Sequence, residues 1–315
     1  MASTTLESGG SRRRKGTMYE MRRNVWAYAF IAPFFLLFAI FGLFPYLYAF
    51  YLSFVTWDGI GGPASQQWVG LENYQQLARD DVFRKSLYNS IWLFVVTSLN
   101  LVIALLLAFI LNSGLVRFKE FYRAAFFAPI VASSVAIAII FSTLFGERYG
   151  ALNYVTGLVG IAPVDWLGSA AWIKPAIALV VIWRYFGWNT IIYLAGLQSI
   201  NTDLYEAARV DGAGWRQIFF RITMPLMRPV ITFTVILSII GALQLFEEPL
   251  LLAGGTASTS PGGTDRAGLT VLVYMYSQAF QYLEFGYAAA MSVALFVIIV
   301  VFSFLYYRFL GQEEA

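Results

Sequence analysis

The sequence contains no cysteine and no histidine. Without thiols there are no disulfides, no thiolate metal sites and no cysteine nucleophile. Without imidazoles there is no Ser-His-Asp triad, no Cys/His zinc site and no histidine-ligated haem. Charge is scarce as well: 12% of the residues are charged and 59% are hydrophobic, against about a quarter and about half in a soluble domain. A chain of 315 residues with this balance reads as a membrane protein. The polar stretches between its apolar blocks reach about 30 residues, too few for a separate soluble domain. A formal net charge of +3 is too small to point to nucleic acid. No glycine-rich loop ending in Gly-Lys-Ser or Gly-Lys-Thr is present, so no nucleotide site is expected; with thiols and imidazoles also missing, the chain is expected to hold no metal or other cofactor and to catalyse no reaction.

What the sequence has is six apolar blocks, at 25–55, 87–111, 124–145, 175–197, 230–252 and 285–307. Each is close to or above the roughly 20 residues that a spanning helix requires. Continuous apolar runs, rather than period-two alternation, select helices over a barrel. The predicted fold is an all-α membrane protein with six transmembrane helices. A secretory signal would have an apolar region of about 7–15 residues and a small-residue cleavage site. The first block is much longer and has no Ala-x-Ala site near its end, so it reads as an uncleaved span. The expected organisation is a disordered basic tail at 1–23, a transmembrane domain at 24–309 with a long loop at 198–229, and a short tail at 310–315. Between 269 and 282 the chain is apolar but short, which suits an interfacial or re-entrant helix.

Lysine and arginine near span ends are retained on the cytoplasmic side. Arg12, Arg13, Arg14, Lys15, Arg22 and Arg23 precede the first span, and Arg117, Lys119, Arg123, Arg209, Arg216, Arg221, Arg228 and Arg308 fall on the same side of it. The opposite side has Arg79, Arg84, Lys85, Arg148, Lys174 and Arg266. The imbalance predicts cytoplasmic termini, with Trp68, Asp165 and Ser258 outside.

The loop between the fourth and fifth blocks runs Asp203-Leu204-Tyr205-Glu206-Ala207-Ala208-Arg209-Val210-Asp211-Gly212-Ala213-Gly214-Trp215. A polar start followed by alanines predicts a short helix, ended by Gly212 and Gly214, then a sharp turn and a second helix. Pro225 and Pro229 are expected to block helix until the fifth span. The small residues leave backbone open to close approach, with Glu206 and Asp211 as charged anchors for a docking protein. An amphipathic linker on the inner leaflet explains the same residues.

The string Glu206-Ala207-Ala208-x-x-Asp211-Gly212-Ala213, followed by Gly214, Phe219, Ile222 and Pro225, resembles the coupling-loop motif of ATP-binding cassette importer permeases. Phe44-Pro45, Ser53-Phe54, Trp68-Val69-Gly70-Leu71-Glu72-Asn73-Tyr74, Asn89-Ser90 and Phe285-Gly286-Tyr287-Ala288-Ala289-Ala290 resemble the carbohydrate-uptake branch, specifically the first permease of a maltose-type pair. The resemblance implies a type I importer permease in a bacterial or archaeal plasma membrane. It also implies a second permease as heterodimer partner, two ATPase subunits seated on the loop, and an extracellular binding protein that delivers a di- or oligosaccharide.

Ionisable groups inside spans are expensive and point to function. Arg184 lies in the fourth block beside Trp183, Tyr185, Trp188 and Asn189. Gln244, Glu247 and Glu248 follow at i, i+3 and i+4 in the fifth, a spacing that predicts one helix face. Aromatic plates with amide or carboxylate partners suit a sugar, whose ring is apolar on its faces and ringed by hydroxyls. By the resemblance, Trp188 falls at an aromatic sugar contact and Gln244 at an amide contact. Arg184 with Glu247 or Glu248 fits equally a structural ion pair. A self-sufficient ion- or proton-coupled transporter, or a permease for glycerol phosphate, stands as the alternative reading.

Overall fold

The computed structural model describes residues 25–113, 116–254 and 261–310. The tail expected at 1–23, Ser258 and residues 311–315 lie outside them. The chain divides into two units, Met1–Tyr51 and Leu52–Ala315.

In the first unit, α1 (Val25–Phe38) passes through a π turn at Ala39–Leu43 into α2 (Phe44–Leu52). The wide turn has a local cause. Pro45 would drive its ring into the carbonyl of Phe41, four residues back, and widening the helix there relieves the clash.

The second unit opens with a small hairpin in which Val55–Thr56 pairs antiparallel with Gln67–Trp68. Buried Asn73, in α3 (Glu72–Arg79), donates to the carbonyls of Ser53 and Val55, both at 3.0 Å. The next helix, α4 (Asp81–Thr97), begins earlier than hydropathy predicts because Asp80 caps it, accepting from the amides of Val82 and Phe83 at 2.7 and 3.1 Å. Together with α5 (Leu99–Asn112) it forms a 32-residue apolar span. Asp80 also accepts from the hydroxyls of Tyr274 at 2.7 Å and Tyr287 at 2.5 Å. Burial alone would raise this carboxyl, but the tyrosine and amide donors outweigh it and hold the group below the ordinary carboxylate value.

The third block is not the single straight span that its composition predicts. It forms α6 (Lys119–Val131) and α7 (Ser134–Leu144), bent by 96° at a break. Ala132 and Ser133 are extended there, with ψ of 146° and 134°, and extended residues end the α6 ladder of bonds.

A short α8 (Ala151–Leu158) leads to α9 (Ile173–Gln198), the most deeply buried span. Its Gly187 backbone meets α6 directly: a Cβ added there would overlap the carbonyl of Phe126. A small residue is required at such a crossing. On either side of it, Ile177, Val180 and Leu93 share one core with Ile137 and Phe141, and Tyr193 and Leu197 share another with Ala104, Ala108 and Met227.

After α10 (Thr202–Val210) and α11 (Trp215–Ile218), a π turn at Phe219–Thr223 runs straight into α12 (Met224–Leu243). Pro225 and Pro229 therefore do not block helix, contrary to the sequence expectation. Pro225 is the second residue of α12, and its clash with the Arg221 carbonyl is absorbed by the π turn that runs into it. The fifth span ends in α13 (Glu247–Leu252) after a break at 244–246. The short apolar segment forms α14 (Val271–Phe280), and α15 (Phe285–Leu310) is the last span. Among the described residues, five helices are long and apolar enough to cross a membrane, six with the bent pair counted as one span.

Candidate functional site

Three spans meet at a cavity of about 200 Å³. Thr97 and Asn100 line it from the second span, Tyr185, Trp188 and Asn189 from α9, and Ser238, Gly241 and Leu245 from the fifth span. Asn189 is buried and donates to Asn100 Oδ1 at 2.7 Å, and Asn100 donates in turn to the Thr97 carbonyl at 2.7 Å. The amide pair is thereby fixed in one orientation. Trp188 remains 42% exposed, stacked at 5.9 Å on Phe127 of the bent third span. The cavity thus combines aromatic faces with oriented amides and a hydroxyl, and none of its lining residues is charged. A larger groove of about 620 Å³, lined by Trp92, Val96, Phe126, Ile182, Trp183 and others, is apolar throughout. It offers almost no polar surface to a hydroxylated solute.

The charged residues form a separate cluster. Arg184 is buried, and its guanidinium donates to Glu248 at 2.7 Å and to Glu247 at 3.4 Å. Its Nε is buried without a hydrogen-bond partner. Glu248 is buried, whereas the Glu247 side chain is 57% exposed and accepts from the Ser134 hydroxyl. The pairing expected as one use of Arg184 is therefore present with both acids.

The single helix face expected for Gln244, Glu247 and Glu248 is not. Gln244 caps the end of α12, Leu245 and Phe246 leave the helix, and the two glutamates open α13. Both acids sit in the first turn of α13, where carboxylates complement the helix dipole. Gln244 is exposed and precedes the lining residue Leu245, but it does not line the cavity itself. Charge inside a span found Arg184, and spacing found the glutamates. Both missed Ser134, Thr97 and Asn100, although Asn100 is a polar residue in mid-block and was visible on that ground.

At 198–229 the expected helix, turn and helix are all present. Asn201 caps α10 by accepting from the Asp203 amide at 2.9 Å. Gly212 adopts φ +79° after the last turn, the left-handed region that ends a helix. Gln217 reaches back and accepts from the Gly214 amide at 2.9 Å, starting α11. Glu206, Ala207, Asp211, Gly212 and Gly214 are exposed, and Ala208 and Ala213 are half-buried. Val210 and Trp215 are 88% and 67% exposed on either side of the turn. Two large apolar side chains beside small residues and acids make a surface suited to docking.

Residues 100–311 match the family model described as binding-protein-dependent transport system inner membrane component. The chain is 36% identical to the arabinooligosaccharides transport system permease protein AraP of Bacillus subtilis (strain 168), over 90% of this chain and 88% of that one. It is also 36% identical to the lactose transport system permease protein LacF of Rhizobium radiobacter, over 90% and 93%. Among solved structures, a bacterial alginate ABC transporter in complex with an alginate pentasaccharide-bound periplasmic protein contains a chain of the same fold. Its TM-score is 0.77 at 23% identity, covering 95% of this chain and 99% of that one.

Proposed function

This chain belongs to the family of binding-protein-dependent transport system inner membrane components and is a multi-span permease subunit of an ATP-binding cassette importer; on that premise we propose that it passes a di- or oligosaccharide through the cavity between its second, fourth and fifth spans. The observation that carries the substrate class is the cavity lining, in which Trp188 and Tyr185 lie beside the Asn100–Asn189 pair and Ser238. Such a surface covers the apolar face of a sugar ring and supplies partners to its hydroxyls without holding any charge of its own. The curated relatives named for arabinooligosaccharides and lactose favour the same class.

In this reading the membrane is a bacterial or archaeal plasma membrane, with the 198–229 loop on its cytoplasmic face. Energy comes from two ATPase subunits, one of which seats the turn at Gly212. A second permease completes the pathway, and an extracellular binding protein presents the sugar at the opposite end. Glu206, Ala207, Ala208, Asp211, Gly212, Ala213 and Gly214 form the coupling surface. Trp188 and Asn189 line the cavity and face the sugar, Gln244 is exposed at the break next to the lining residue Leu245, and Arg184, Glu247 and Glu248 set the shape and charge of the route beside it. The chain itself uses no cofactor. Purification of the tagged chain from its host tests the assembly: ATPase activity should co-purify with it and with a second permease. Recovery of the chain alone, active in gradient-driven uptake, would favour a secondary transporter instead.

A further inference from the structure

Arg184 lies well inside the membrane, about 16 Å along the helix axis from the Ile173 end of α9 at 1.5 Å per residue. It brings one positive charge to that level, and Glu247 and Glu248 bring two negative ones. Glu248, with its side chain 5% exposed and 2.7 Å from the guanidinium, is the partner that cancels Arg184. Glu247 is placed differently. It is 57% exposed, 3.4 Å from the same guanidinium, and steadied by the Ser134 hydroxyl.

Glu247 is also the first helical residue after the break in the fifth span, and Gln244 on the other side of the break is exposed too. Broken backbone and exposed carboxylates at membrane depth are tolerated where protein or water covers them, never against lipid. Leu245, within the same break, lines the cavity. Among the described residues, Arg184 is the one positive side chain paired with either glutamate. Lys174 is at the beginning of α9, over the rings of Tyr88 and Trp92, and Arg221 and Arg228 lie at the beginning of the fifth span.

We infer that Glu247 gives the translocation route a fixed negative charge that filters solutes, passing neutral and amino sugars and holding back those that bear a carboxylate or phosphate. This substrate class rests on the saccharide-permease reading above. A charge in a narrow aqueous cleft with low-dielectric walls is screened less than one on an open surface, so a single carboxylate acts along the cleft. Hydroxyls of a neutral sugar are indifferent to it. A carboxylated or phosphorylated solute is repelled where it passes the break in the fifth span, beside Glu247.

The absence of cysteine from the chain allows a direct test. Gly241 lines the cavity, and a Cβ added there meets nothing within 4 Å, so Gly241→Cys places one thiol on the route without a clash. The assembled transporter carrying Gly241→Cys is treated in detergent, which opens both ends to reagent. A cationic and an anionic methanethiosulfonate of similar size are used, and labelling is read from the mass of this chain. The ratio of rates, cationic over anionic, is divided by the ratio for free 2-mercaptoethanol. We expect a normalised ratio of about three or more, unchanged in a Glu247→Asp background and falling towards one with Glu247→Gln.

A ratio near one in the parent, a ratio that survives Glu247→Gln, or a thiol that neither reagent reaches would overturn the filter. The two readings fail separately: a transporter that moves no saccharide removes the substrate while leaving the labelling ratio intact, and equal labelling removes the filter while leaving transport intact.

Discussion

At the scale of single residues, the polar side chains inside the spans divide into those that hold helices and those that face the route. Arg184 and Glu248 are of the first kind, both buried and 2.7 Å apart. Arg184→Ala should leave Glu248 buried without a partner, at a cost of about 3–5 kcal/mol, and lower the amount of assembled complex in the membrane. Replacing both residues by leucine should recover more complex than the single variant does, as read by size-exclusion chromatography of the detergent extract. Trp188 and Gln244 are of the second kind. Trp188→Ala and Gln244→Ala should leave assembly and basal ATP hydrolysis intact and slow uptake per complex, each loss worth about 1–3 kcal/mol. Normal uptake per complex in Trp188→Ala would remove the sugar from this cavity, and normal uptake in Gln244→Ala would remove it from the break beside it.

Asp80 belongs to the same scale but to another task, joining the start of α4 to Tyr274 and Tyr287. Because its carboxyl is lowered in the folded chain, its contribution is present above the ordinary value of about 4 and is lost as pH falls through the lowered one. Asp80→Asn should therefore weaken the complex at neutral pH and flatten its loss of thermal stability on acidification.

At the scale of elements, hydropathy found the spans because a run of about 20 apolar residues has few alternatives. It did not find the breaks. Residues on both sides of Ala132–Ser133 are equally apolar, so composition cannot register the 96° bend between α6 and α7. The interruption at 244–246 is equally hidden, and that misplaced Gln244 relative to the two glutamates. Prolines misled in the other direction, since Pro225 and Pro229 are accommodated in α12 with the help of a π turn. The motif residues of the hairpin end were legible as a pattern, and their use became visible only in three dimensions. Asn73 ties the hairpin, Asn89 donates to the carbonyls of Arg266 and Leu269 at 3.0 Å, and Ser90 accepts from the Val271 amide at 3.1 Å. The Asn89 and Ser90 contacts join segments about 180 residues apart, which no local spacing reveals.

The α10–α11 turn was read correctly from sequence because its determinants are local. Gly212 at φ +79° cannot be replaced by proline, whose φ is fixed near −65°. Gly212→Pro should abolish uptake while this chain still inserts and the ATPases still hydrolyse ATP. Glu206→Ala should weaken the same link by removing an exposed anchor charge. Saccharide uptake at the parent rate per complex in both variants would return the loop to the role of a linker.

At the scale of the whole molecule, the chain is a permease whose described residues hold six spans once the bent pair is counted as one, and its basic residues predict which way it faces. Single cysteines at 68 and 117, on a chain that has none, should react with an impermeant maleimide from outside and from inside respectively. The central claim is that this chain carries a saccharide across the membrane on energy supplied by other subunits. The most direct measurement is saccharide accumulation in proteoliposomes containing this chain, its partner permease, the ATPase pair and the binding protein, with ATP enclosed. Accumulation should require ATP and the binding protein, and should vanish when this chain is left out or carries Gly212→Pro. Accumulation by this chain alone under an ion gradient, with no ATPase present, would contradict it.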